Sequence, residues 1–345
     1  MKTIVVGSTH KSAGKTSLIV GMARAAGKPC GYMKPLGDRL LYRKKRLWDY
    51  DAALMTNVFG LEGNPEDMTL GFEHAKLRYM YDAEATKVKL GEMLAAASEG
   101  KECVFVEGGE TLSYGASINL DSIALAAQLG ARLVLVAGGS ESMTVDHLAF
   151  IRRYIDLKSI DFAGVIINKV RDPEDFSGTH LADITALGVK VLGLVPFDAE
   201  LTKLSVGHLA ERLLAKVIAG EAGLGRGVSA IMVGAMSTNA ALENPLFKKE
   251  GKLVITGGDR SDLVLAAVES NSSGIILTNN VLPPPNIISK AAERNIPLLL
   301  VPFDTYHTAS QIESIDPLLV KDDVKKMDIL TRSVKDHVSL SDIIG

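Results

Sequence analysis

Residues 1–18 read MKTIVVGSTHKSAGKTSL. An apolar run from Ile4 to Val6 leads into a loop that closes on Gly14-Lys15-Thr16 and then enters a helical pattern. Few folds accommodate that order. Strand, glycine loop, Lys-Thr and helix together build a phosphate cradle: loop glycines let backbone N–H groups turn inward, and the helix N-terminus adds a partial positive charge. The lysine then reaches the outer phosphates, and the threonine hydroxyl ligates Mg²⁺. The expected phosphate-binding residues are Gly7, Lys11, Ser12, Ala13, Gly14, Lys15, Thr16 and Ser17, with Lys15 in an exposed loop rather than in the core. The loop is longer than the strict motif, because Thr9 stands where a first glycine belongs and Gly7 comes earlier. The competing reading is a strand-to-helix turn with an exposed lysine and no ligand.

The rest of the first two-thirds alternates short apolar runs with helical patterns. Strands are expected at 3–6, 30–33, 103–107, 133–136, 164–167 and 191–195, and helices at 15–26, 83–98, 118–129 and 144–156. The stretch 47–81 reads as mostly helical. Near-continuous Val/Ile/Leu strands separated by helices specify an α/β fold with a parallel sheet covered on both faces. Residues 221–227, EAGLGRG, form a glycine-rich break after what reads as a long amphipathic helix. A second, smaller α/β pattern follows, with strands at 230–233, 253–256, 274–277 and 298–301. The expected domains are therefore residues 1–220 and 228–345, which suits a chain of 345 residues. After Lys321 the sequence is charged and helical.

Composition narrows the function. A net charge of −3 argues against a nucleic-acid partner. The one basic cluster, Arg43-Lys44-Lys45-Arg46, suits a solvated face or contact with an anionic substrate. Cys30 and Cys103 fall at strand positions and read as buried thiols of a cytoplasmic protein. The histidines lack metal-site spacing, no apolar run reaches the length of a membrane span, and the N-terminus enters a strand directly, with no room for a signal peptide.

Further candidate site residues fall at or just after strand ends, the edge where ligands sit in open parallel sheets. Lys34, before Pro35, is a second cation to neutralise charge developing in phosphoryl transfer, or a surface lysine. Asp51, two residues after Asp49, is a candidate Mg²⁺ ligand with Thr16, or one of the two aspartates is a helix N-cap. Glu107 ends an apolar strand before Gly108-Gly109, and a buried acid needs a cation partner, for which Mg²⁺ is the expectation. The amide of Asn168, before Lys169, reads an adenine edge or caps a turn.

This set resembles dethiobiotin synthetase, and more closely the amino-terminal, dethiobiotin-synthetase-like domain of long phosphotransacetylases. Gly7, Gly14-Lys15-Thr16, Lys34-Pro35, Asp51-Ala52, Val106-Glu107-Gly108-Gly109 and Ile167-Asn168-Lys169 carry the likeness over most of residues 1–220. Residues 258–263, GDRSDL, are similar to the signature of the DRTGG domain, which follows in those proteins. The resemblance implies a P-loop NTPase-type fold, ATP and Mg²⁺ as cofactors, Lys15 and Lys34 as catalytic cations, and a homo-oligomer of two or more subunits. Two departures stand out. Lys11-Ser12-Ala13 replaces an acidic loop residue of the synthetases, and residues 110–117 lack their apolar substrate wall. Phosphotransacetylases carry acetyl transfer in a further carboxy-terminal domain, so residues 1–345 are not expected to catalyse it by themselves.

Two functions compete. One is a nucleotide-sensing regulator of an acetyl-CoA-metabolism enzyme, with slow or absent turnover. The other is a stand-alone ATP-dependent ligase of cofactor synthesis, with substrate-stimulated hydrolysis. In the second domain, Gly257-Gly258-Asp259-Arg260 opens a helix and suits either an anion or a tight turn with Arg260 in a salt bridge.

Overall fold

The computed structural model describes residues 1–43 and 45–345, so Lys44 of the basic cluster lies outside the described residues. It divides into two units, Met1–Asp198 with Lys321–Gly345, and Ala199–Val320. The strands of the first are β1 (Lys2–Ser8), β2 (Cys30–Met33), β3 (Leu40–Arg43), β4 (Arg46–Asp49), β5 (Cys103–Glu107), β6 (Arg132–Ala137), β7 (Asp161–Val170) and β8 (Val191–Pro196). Six of them form one sheet in the order β2-β5-β1-β6-β7-β8, every pair parallel. Its helices are α1 (Lys15–Ala26), α2 (Tyr50–Val58), α3 (His74–Met80), α4 (Ala83–Ser98), α5 (Ser122–Leu129), α6 (Glu141–Tyr154) and α7 (Pro173–Ala186).

Local chemistry sets these elements. The Val/Ile/Leu/Phe runs of β1, β5 and β6 are buried almost end to end, as parallel strands covered on both faces must be. Asp49, Asp82, Asp121, Ser140 and Asp172 cap α2, α4, α5, α6 and α7 through their side-chain oxygens. The Asp121 cap starts α5 at Ser122, later than the expected 118. β1 lies at the centre of the sheet, and the chain crosses to β2 and β5 on one side before β6 on the other. The crevice beyond the carboxyl ends of β1, β5 and β6 is therefore the switch point at which such sheets bind ligands.

The second unit holds α8 (Val206–Arg212), α9 (Thr238–Glu243), α10 (Pro245–Lys248), α11 (Ser261–Glu269), α12 (Pro285–Glu293) and α13 (Thr305–Glu313). A two-stranded ribbon pairs β9 (Leu204–Ser205) with β11 (Gly227–Val228). The main sheet runs β10 (Lys216–Ala219), β15 (Leu298–Leu300), β14 (Gly274–Thr278), β13 (Lys252–Gly257), β12 (Ala230–Val233), with β10 alone antiparallel. Val254, Leu263, Ala267 and Leu277 pack in one core of this unit, and Val206, Leu209, Ile255 and Ile276 in another.

The stretch 47–81 is mostly helical as expected, though it begins with the second strand of the β3–β4 hairpin. Two expectations need correction. The long helix expected before residue 221 is only α8. Leu214 takes a left-handed φ of 51°, and the chain then enters β10, which pairs with β15. Residues 199–220 thus join the second sheet, and the boundary near 220–228 moves to Asp198/Ala199. The charged tail, in turn, belongs to the first unit as α14 (Val324–His337) and α15 (Leu340–Ile344). Met327, Leu330 and Val334 of α14 are buried, and a Cβ on Gly21 of α1 would lie 2.7 Å from Val334 Cγ2 and 2.9 Å from the Leu330 carbonyl. Glycine at 21 is what lets the two helices approach.

Candidate phosphate-binding site

The loop between β1 and α1 is shaped by two left-handed residues, Ser12 (φ 59°) and Gly14 (φ 101°), the latter at the N-cap of α1. The loop is pinned from β7. Asn168 Nδ2 donates to the Ala13 carbonyl at 2.8 Å, and Lys169 Nζ donates to the Ser12 carbonyl at 2.8 Å. A Cβ at Gly14 would collide with that Asn168 nitrogen. The Ser8 hydroxyl donates toward the His10 and Glu110 carbonyls, each at 3.1 Å, and Lys11 forms a 2.7 Å ion pair with Glu110.

Lys15 differs from expectation: it is 7% exposed. It opens α1 against the sheet, and its Nζ donates to Ser8 Oγ at 2.9 Å. Burial lowers its pKa, partly offset by Glu107. An amine so placed gains from an anion arriving at the loop. Gly7 also differs. It lies within β1, paired with β6, and a Cβ there would meet the Ser122 side chain at 2.8 Å, so close packing rather than phosphate contact calls for this glycine. Ser17 follows Thr16 in the first turn of α1.

Glu107, at the end of β5, is 2% exposed. Its two oxygens accept from different hydroxyls, Oε1 from Thr16 Oγ1 and Oε2 from Tyr32 Oη, both at 2.8 Å. Burial, then the charge of Asp51, pushes its pKa up to about 7. Burial, then Glu107, raises the Tyr32 phenol well above its usual value. An acid in contact with hydroxyls, beside the threonine of a phosphate loop, fits a hard divalent cation that takes oxygen ligands.

Lys34 is 1% exposed and sits inside an acidic cage. Its Nζ meets Asp38 Oδ1 at 2.5 Å, Asp51 Oδ2 at 2.6 Å and Asp49 Oδ1 at 3.3 Å. Asp51 also meets Arg39 at 3.3 Å, and Asp49 caps α2 by accepting from the Asp51 and Ala52 amides. Burial pulls the Lys34 pKa down, but the carboxylates, Asp51 first, outweigh it and hold it well above the ordinary value. An ammonium group has three protons to donate, and three carboxylates surround this one. Asp38, Asp49 and Asp51 have oxygens within 4.8 Å of one another, a grouping the sequence reading missed because Asp38 lies four residues from Lys34 in a loop. Asp51 is thus engaged by Lys34 and Arg39, while Thr16 and Glu107 are joined to each other.

The family described as "AAA domain" matches residues 2–205, and the chain belongs to it. The DRTGG domain matches residues 208–315, so a dethiobiotin-synthetase-like P-loop NTPase domain is followed by a smaller DRTGG-containing α/β domain. The phosphate acetyltransferases of Pseudomonas putida and Nitrosomonas europaea are both 26% identical over 98% of this chain, covering 51% and 50% of their own lengths. The chain therefore spans about half the length of these curated relatives. The ATP-dependent dethiobiotin synthetase of Bacillus subtilis is 26% identical over 61% of this chain and 94% of its own length. Among solved structures, the MinD cell division protein of Aquifex aeolicus aligns with 14% identity and a TM-score of 0.36 over 58% of this chain and 84% of that one. Among the described residues, no helix is long and apolar enough to cross a membrane.

Proposed function

We propose that the protein binds ATP with Mg²⁺ at the loop 9–17 and acts as a nucleotide-sensing regulator of an acetyl-CoA or acetyl phosphate enzyme, with little turnover of its own. The observation that carries this reading is the contrast between two lysines. Among the described residues, Lys15 Nζ has the Ser8 hydroxyl as its one hydrogen-bond partner, and it is positioned to meet phosphates. Lys34, the expected second catalytic cation, donates to Asp38 and Asp51 and forms a further ion pair with Asp49. It reaches a phosphate only if a carboxylate contact breaks, which suits binding better than rapid phosphoryl transfer. Thr16 and Glu107 would hold Mg²⁺, which neutralises phosphate charge when bound. Similarity to half of the phosphate acetyltransferases supports the metabolic link, and subunit association is part of the same reading.

A second reading, an ATP-dependent ligase, is favoured by one observation: the chain matches nearly the whole length of the dethiobiotin synthetases. Calorimetric titration with ATP, with and without Mg²⁺, together with a turnover assay separates the two. Tight Mg²⁺-dependent binding with slow, substrate-insensitive hydrolysis supports the regulator. Hydrolysis strongly stimulated by a small carboxylate or amine supports the ligase, and absence of nucleotide binding overturns both.

A further inference from the structure

Away from the phosphate loop, at the opposite ends of the strands, the chain's two cysteines meet. Cys30 opens β2 and Cys103 opens β5. The parallel register pairs them residue to residue, and their Sγ atoms lie 2.7 Å apart. Both are free thiols, with Cys30 5% exposed and Cys103 fully buried. Neighbouring strands lie about 4.7–4.9 Å apart, inside the roughly 4.4–6.8 Å between Cα atoms that a disulfide spans. The bond can therefore form with little backbone movement.

We propose that Cys30 and Cys103 form a reversible intramolecular disulfide when the protein meets a small two-electron oxidant of the peroxide class. The reaction balances as two steps. One thiolate attacks a peroxide oxygen, breaking the O–O bond and leaving a sulfenic acid and a hydroxide that takes up the proton its thiol released, giving one water. The second thiolate attacks the sulfenyl sulfur, closes the S–S bond and releases the sulfenyl oxygen as hydroxide, which takes up the second thiol's proton to give a second water. Overall, two thiols and one hydrogen peroxide give one disulfide and two waters. The sulfurs lose two electrons, and the peroxide oxygens gain them.

Two features favour the reaction over inert burial. The first is the shared hydrogen bond. The hydrogen bond between the two sulfurs lowers the Cys103 pKa and raises that of Cys30, so one of the pair loses its proton more readily than an isolated buried thiol. The second is access. A cavity of about 660 Å³ borders the outer edge of β2, and its walls include Gly31, next to Cys30, and Lys101, two residues from Cys103. Glu99 and Gly100 on that wall are exposed, so the cavity opens to solvent. A peroxide is small enough to enter there. The product ties the edge strand β2, which carries Tyr32, to β5, which carries Glu107.

The test treats the folded chain of residues 1–345 with a small excess of hydrogen peroxide and quenches it. The protein is then denatured, and its free thiols are counted by alkylation before and after dithiothreitol. The expected result is loss of both alkylatable thiols, their recovery on reduction, a tryptic peptide pair linked through Cys30 and Cys103, and no shift to dimer on a non-reducing gel. Cys30→Ala should leave Cys103 either free or carried to an oxyacid, with no linked pair. Thiols that stay alkylatable after peroxide, oxyacids at both cysteines of the unaltered protein, or disulfides between chains would each overturn the proposal. Because the decisive measurements use the unaltered protein, poor folding of a variant does not blunt them.

Discussion

Thr16 Oγ1 donates to Glu107 Oε1 across 2.8 Å, joining the first turn of α1 to the carboxyl end of β5 beneath the phosphate loop. The contact has a pH signature. Burial raises the Glu107 carboxyl from 4.5 to about 7, so between those values the folded protein holds a proton that the unfolded chain does not. Its contribution to stability is full below about pH 4.5 and is lost as pH rises through 7. Glu107→Gln removes this titration. Relative to the variant, the unaltered protein should lose up to about 3 kcal/mol between pH 4.5 and pH 8, read by denaturant unfolding. A pH-independent difference would show that Glu107 titrates normally.

The cage around Lys34 yields a stability prediction. Lys34→Met leaves Asp38, Asp49 and Asp51 without their central cation, and breaking a buried ion pair costs about 3–5 kcal/mol. The thermal midpoint should fall sharply, and less for Asp51→Asn, which leaves two carboxylates on the lysine. If Lys34→Met melts like the parent protein yet loses substrate-dependent turnover, Lys34 is a catalytic cation and the ligase reading gains.

Lys15→Ala should do the reverse. The amine contacts Ser8, and burial already disfavours its charge, so the fold loses little. ATP affinity should drop roughly 10- to 100-fold, the worth of a hydrogen bond from a charged donor. Equal affinities measured by calorimetry would remove the phosphate-loop assignment.

Gly14 offers an independent handle on the loop. Its φ of 101° and its approach to Asn168 leave no room for a side chain. Gly14→Ala should impair nucleotide binding even with Lys15 and Thr16 present, and Asn168→Ala should weaken it by freeing the Ala13 carbonyl. Normal binding by both variants would mean the loop needs no pin from β7.

The sheet and loop were legible because Val/Ile/Leu runs and glycine spacing are local signals. The strands at Cys30–Met33 and Cys103–Glu107 and the helices at Lys15–Ala26 and Ala83–Ser98 have the bounds read from sequence. Several features depend on distant partners and were not legible. Lys15 reads as exposed because lysines usually are, and only the packing of α1 on the sheet buries it. The donation of the Asn168 amide nitrogen to the Ala13 carbonyl, 155 residues away, leaves no local mark in the sequence. Asp38 carries no motif, and its role appears only once the loop folds back over Asp49 and Asp51. The α7 signal, Asp172 followed by Pro173, was present in the sequence as an N-cap and a first-turn proline but was overlooked.

The charged tail misleads most, because its polar composition hides one apolar stripe. Met327, Leu330 and Val334 recur at helical spacing and are buried in the first unit, with Val334 against Gly21. Burying a large apolar side chain contributes roughly 1.5–3 kcal/mol, so the three together supply on the order of 5 kcal/mol. That is a large part of a typical domain stability of about 5–15 kcal/mol. A chain ending at Val320 should therefore melt well below the chain of residues 1–345 and bind the dye ANS through the uncovered face of α1. Adding a peptide of residues 321–345 should restore part of the lost midpoint. Residues 199–320, which keep their own sheet and both cores, should unfold cooperatively alone. A 1–320 chain as stable as the 1–345 chain would show that α14 merely rests on α1, and a molten 199–320 fragment would show that the second unit needs the first to fold.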